Sequence, residues 1–144
     1  MLKRDLIASL FSGLAVLPLS SMALLAQAPP AEKAELSSLA DIRSSIIRAI
    51  GAQDQTVEVG TTVTIFTVSC VNSNMNASTH AGRDNEATAI ASIVSKAISE
   101  KPELSKLIVI RVQYVARAAP GGMEVIDAVE FRKNPSGVFE FHRT

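Results

Sequence analysis

The spacing of apolar residues changes along this chain, and each change predicts a different element. Behind the basic start Met1-Leu2-Lys3-Arg4 lies an almost unbroken apolar stretch from Leu6 to Ala26. Between Leu36 and Ile50 the pattern becomes periodic: Leu36, Leu39, Ile42, Ile46, Ile47 and Ile50 recur every three or four residues, with Asp41, Arg43 and Arg48 mainly between them. That spacing predicts an amphipathic helix, which Gly51 can end. From Thr56 to Val71 the chain is dominated by Val, Thr, Ile and Phe, a composition that suits pleated strands. Either a short strand turns into a long one at Gly60-Thr61, or one strand is bulged at Gly60. Asn72 to Gly82 has no period and is rich in turn formers, so it reads as a loop.

A second helical stripe follows, with Ala87, Ile90, Ala91, Val94, Ala97 and Ile98 on one face, capped near Asp84 or Asn85 and ending by Lys101, before Pro102. The last third predicts three strands: Leu107 to Arg117, Met123 to Lys133 and Val138 to Arg143. Asn134-Pro135-Ser136-Gly137 suits a tight hairpin with Gly137 in the left-handed conformation. This register sets Arg132 opposite Glu140, Glu130 opposite His142 and Phe131 opposite Phe141. In the preceding hairpin, Arg117 opposite Glu124 brings Arg111 to Glu130, Ile110 to Phe131, Val112 to Val129 and Tyr114 to Asp127. Opposite charges then meet on one face and apolar residues on the other, and a one-residue slip would destroy both patterns.

A sheet with one charged face buries only the other. The expected fold is therefore an α+β two-layer sandwich, with two helices packed on one face of an antiparallel sheet of four to five strands. Its element order resembles in outline the α-β-α-β-β layout of the bacterial envelope module called the BON domain. The chain departs from that family's Gly-Val-Leu-Gly type signature around Gly60-Thr61-Thr62-Val63, and its loop from Asn72 to Gly82 is longer. The resemblance would imply an envelope-binding role without catalysis.

The first apolar stretch has the layout of a bacterial export signal. A membrane anchor of that length is the rival reading, but Gly13, Pro18 and several serines dilute the stretch, and small residues cluster at its end. Residues 1–28 are thus expected to be a signal peptide cleaved after Ala23 or Ala28, with Pro29 disfavouring the second site. Lys3-Arg4-Asp5-Leu6-Ile7 is similar to a twin-arginine signal, with lysine in place of the first arginine. Residues 29–35 read as an extended linker opened by Pro29-Pro30, and 36–144 as one small domain. The implied location is periplasmic or secreted, with membrane association only if the N-terminal segment is retained.

Fourteen basic residues balance fourteen acidic ones, and aromatics make up 4 % of the chain. A neutral chain without a basic cluster or stacking platform argues against nucleic-acid binding. With Cys70 as the single cysteine, an internal disulfide is excluded.

Candidate chemistry is sparse. His80 and His142 are the only histidines, too few for most zinc sites without carboxylates, and the Asn-rich loop has no carboxylate before Asp84 to hold a cation. Neither a cofactor nor a metal is expected. Cys70 with His80 a loop away would suit a nucleophile and base, although a small apolar residue ending a strand accounts for Cys70 more simply. Asp127 is the misfit, placed by register on the apolar face opposite Tyr114. There it needs a partner, a shifted pKa or a bulge that turns it outward. The expected function is a non-enzymatic binding module of the cell envelope, meeting a partner protein or itself through a sheet edge. The alternative is a small hydrolase-like or thiol-dependent enzyme using Cys70 and His80, or Tyr114 and Asp127.

Overall fold

The computed structural model describes residues 29–143, so the expected signal peptide lies outside the described residues. Helix α1 spans Pro30–Ile50. The segment read as a linker is therefore helical. Only Pro29 is extended, because the residue before a proline avoids the helical region. Pro30 takes the first helical position, where its missing N–H costs nothing. Ala31, Glu32, Lys33, Ala34 and Glu35 are strong helix formers, and their helix-favouring composition outweighs their lack of an apolar stripe. At the other end Gly51 has φ 65° and donates its N–H to the Ile47 carbonyl, the left-handed stop expected there.

The sheet contains β1 (Val57–Thr61), β2 (Ile65–Val71), β3 (Val109–Ala118), β4 (Gly122–Lys133) and β5 (Phe139–His142), ordered β1-β2-β3-β4-β5. The break in the first strand pair falls at Thr62–Thr64, and Gly60 sits inside β1 opposite Thr67. The sheet is not wholly antiparallel, since β2 and β3 run parallel while every other pair is antiparallel. The reason is the crossover: α2 (His80–Glu100) connects these neighbours, and a helix-length connection is what parallel strands require.

Both hairpin registers place Arg111 opposite Glu130, Ile110 opposite Phe131 and Arg132 opposite Glu140, as the charge pattern demands. The Asn134–Gly137 turn closes with Gly137 at φ 85°. The one departure is an irregularity at Tyr114/Val115, beyond which Arg117 faces Met123 and Ala116 faces Glu124. Arg117 instead reaches Glu58 on β1, at 2.9 Å.

The two helices and the sheet share one core. Ile42 and Ile46 of α1, Ala87, Ile90 and Val94 of α2, and Phe66, Val68, Ile110, Val112 and Val129 of the sheet are all buried in it. Burying one such side chain contributes about 1.5–3 kcal/mol, so this shared layer is the dominant stabilising term. The α+β two-layer arrangement follows from it.

Candidate functional site

One rung of the sheet carries three of the polar candidates. Cys70 on β2 lies opposite Tyr114 on β3, which lies opposite Asp127 on β4, all on the face turned toward the helices. The first turns of α2 cover this rung. That helix starts at His80, earlier than expected: Thr79 is its N-cap, and its hydroxyl accepts the Gly82 N–H at 3.1 Å. Starting there places His80, Arg83 and Glu86 at three-residue intervals, so all three lie along the same side of the helix.

Arg83 joins the pieces. It is 6 % exposed, and its Nε donates to Asp127 Oδ2 at 2.7 Å. Its Nη1 donates to the carbonyls of Ser78 at 2.6 Å and Met75 at 3.2 Å, tying the 72–79 loop to the sheet. Asp127 also accepts from Arg143 Nη1 at 3.1 Å, and His80 Nδ1 lies 2.9 Å from its Oδ2. Burial opposes ionisation of this carboxyl more strongly than any other single influence. The hydrogen bonds from Arg83, Arg143 and His80 together outweigh it and bring the pKa down to about 2. A carboxylate this firmly held is a poor proton acceptor near neutral pH.

Behind that cluster lies a second. The Tyr114 hydroxyl donates to the Arg83 carbonyl at 3.0 Å. Burial pushes the tyrosine's pKa up, and the Glu86 carboxyl adds to the rise. The Cys70 thiol is pushed up to about 12, first by burial and then by the same glutamate. Thiolate chemistry needs the opposite environment, an electropositive and accessible one. Glu86 is itself raised by burial, with the Tyr114 hydroxyl pulling partly back. Its Oε1 is buried without a hydrogen-bond partner among the described residues.

The structure thus brings Cys70, Tyr114, Asp127 and His80 to one place but exchanges the expected partners. His80 meets Asp127 rather than a thiol, and Tyr114 and Asp127 are bridged by Arg83 without bonding to each other. His142 is elsewhere, opposite Glu130 on the outer face, where the Glu130 carboxylate is held by Arg111 and Arg132. Arg83 and Glu86 are the residues the sequence reading passed over. Their signal was their place in the helical stripe: Arg83 lies four residues before Ala87, and Glu86 four before Ile90. A charge on an apolar stripe is informative, and starting the helix at Asp84 left Arg83 outside it. Among the described residues, no group of three or more His, Cys, Asp or Glu side chains is placed to hold a metal ion.

A different feature stands at the far end of β4. β5 pairs with Glu130–Lys133, so among the described residues the stretch of β4 from Gly122 to Val129 has no strand on that side. Met123, Val125 and Ile126 there are 61, 50 and 39 % exposed. The opposite side of this arm is closed: the Asn72 side chain accepts the Arg117 N–H at 2.8 Å and donates to the Arg117 carbonyl at 3.2 Å, continuing β2 by one side-chain rung. No helix among the described residues is long and apolar enough to cross a membrane. The chain matches no protein-family model, no curated protein and no solved structure.

Proposed function

We propose that this chain is an exported bacterial domain, periplasmic or secreted, acting as a non-enzymatic binding module that takes an extended segment of an envelope protein onto the free edge of β4. The observation that carries the reading is the unpaired run Gly122–Ile126 with its exposed Met123, Val125 and Ile126. An open strand edge offers main-chain donors and acceptors in register, and alternate apolar side chains beside it supply specificity. The enzymatic alternative is less well supported. Its thiol is buried and held protonated, and its carboxylate is shared between two guanidinium groups.

Site-specific photo-crosslinking in cells tests this. A photoreactive residue at Met123 or Val125 should give discrete adducts with an envelope protein, whereas the same residue at the exposed Ala89 of α2 should not. Equal labelling from both sites would overturn the reading. A product that is only the dimer of this chain would replace the envelope partner by self-association.

A further inference from the structure

We infer that Glu124 sets what the free β4 edge accepts: an extended segment with a lysine or arginine between two apolar residues, and not a second copy of this chain. This rests on the edge-binding function proposed for β4 and adds the chemistry of the occupant.

The register shows which main-chain groups are open. The Val115 carbonyl accepts the Asn72 N–H, and the Asn72 side chain takes both main-chain groups of Arg117, so these two residues of β3 face β2. Ala116 and Ala118 then face β4, toward their partners Glu124 and Gly122. Along β4 the alternation turns the N–H and C=O groups of Met123 and Val125 to the free side. Further on, the edge is closed from within. The Lys133 N–H points to β3, at Ile108, so Ala128, an odd number of residues earlier, points to the free side. Its N–H is taken by Asp127 Oδ1 at 2.9 Å, and Arg143 holds that carboxylate. The open run is therefore short and centred on Glu124.

The side chains around that centre specify a partner. Met123 and Val125 lie on one face of β4, opposite Arg117 and Val115, and Glu124 lies on the other, opposite Ala116. All three are exposed. Among the described residues the Glu124 carboxylate has no hydrogen bond or ion pair. Its neighbours two residues away on β4, Gly122 and Ile126, carry no charge. With alanine beside it on β3, the place left for a counterion is the added strand. Because the main-chain groups of Glu124 face β3, an antiparallel residue across from it on the free side forms a pair without hydrogen bonds, where side chains come closest. An opposite charge there stabilises the pairing and a like charge opposes it.

The same geometry disfavours a second copy. Antiparallel pairing of two β4 edges that uses both open residues sets Met123 against Val125 and Glu124 against itself. Moving the two-fold to Met123 runs the pairing into the turn at Gly121, where φ is 95°. Moving it to Val125 runs the pairing into Asp127 and its closed N–H.

Two-dimensional NMR of the protein with acetyl-Thr-Val-Lys-Val-Thr-amide, and with the same peptide carrying Gln or Glu in place of Lys, tests this. Saturable amide shifts at Met123 to Val125 are expected, with the Lys peptide binding about three- to tenfold more tightly than the Glu peptide and the Gln peptide between them. Glu124→Lys, at an exposed edge position, should reverse the order. Glu124→Gln should abolish the preference and increase self-association in sedimentation velocity relative to the parent. Equal binding of the Lys and Glu peptides would leave the edge as a binding site and overturn the selection by charge. No shift at this edge with any peptide would overturn the edge-binding function and the selection together, and a parent protein that already pairs through β4 would overturn the exclusion of a second copy.

Discussion

Cys70 owes its chemistry to its surroundings. It sits 1 % exposed on the helix-facing side of β2, with Tyr114 opposite it and the Glu86 carboxyl close enough to act on it. A thiol raised to about 12 is almost wholly protonated at neutral pH, and the attacking species in alkylation is the thiolate. Native protein treated with iodoacetamide at pH 7.5 should therefore remain unlabelled over a time in which urea-unfolded protein labels fully. Rapid native labelling would show that the strand end opens or that the thiol is activated. The position of Cys70 at the end of a strand was legible in the sequence, because the Val-, Thr- and Ile-rich run from Thr56 to Val71 gives way to turn formers at Asn72. Its environment was not, since Glu86 comes from a helix 16 residues along the chain, and only packing brings the two together.

At the scale of elements, α2 shows how a local capping choice reshapes a site. Thr79 holds the helix start through its bond to the Gly82 N–H, whereas Asp84 and Asn85, the caps suggested by the apolar stripe, are already in the second turn. Thr79→Ala should cost about 1 kcal/mol, the usual value for an N-cap. Asn85→Ala, exposed and inside the helix, should cost nothing and stabilise by up to a few tenths of a kcal/mol, because alanine is the better helix former. Chemical denaturation of the two variants checks this, and a larger loss from Asn85→Ala would restore the later start. The stripe located the helix body because apolar spacing records burial. It missed the first turn because the one buried residue there is Arg83, which is held by hydrogen bonds and an ion pair to Asp127 rather than by apolar packing. The strand registers were legible for the same reason in reverse: Arg111 with Glu130 and Ile110 with Phe131 state their pairing on both faces. The irregularity at Tyr114/Val115 leaves no such mark, so the Arg117–Glu124 pair expected beyond it does not form.

Over the whole molecule, these charges make stability depend on pH with two opposite signs. Glu35, Glu58, Asp127 and Glu130 all have pKa values below their ordinary ones. Hydrogen bonding is the leading cause for three of them, while in Asp127 the sum of its bonds overcomes burial. A lowered carboxylate contributes stability that is fully present above the unfolded-state pKa, near 4, and is lost as pH falls through the folded value. For Asp127, which moves from 3.8 to about 2 and whose side chain is 8 % exposed, this amounts to about 2 kcal/mol lost between roughly pH 4 and pH 2. Glu86 has the opposite sign: its pKa is raised, so its contribution is complete below about pH 4.3 and is lost as pH rises through the folded value. Urea unfolding across pH 2 to 8 should give a maximum in the weakly acidic range, with a steep acid side and a shallower alkaline one. Asp127→Asn should be least stable relative to the parent at pH 7 and converge on it toward pH 2, because protonation then removes the same charge from Arg83 in both proteins. Glu86→Gln should leave the acid side unchanged and flatten the alkaline decline. If Asp127→Asn ran parallel to the parent at every pH, the carboxylate would not be the charge that holds Arg83 and the 72–79 loop to the sheet.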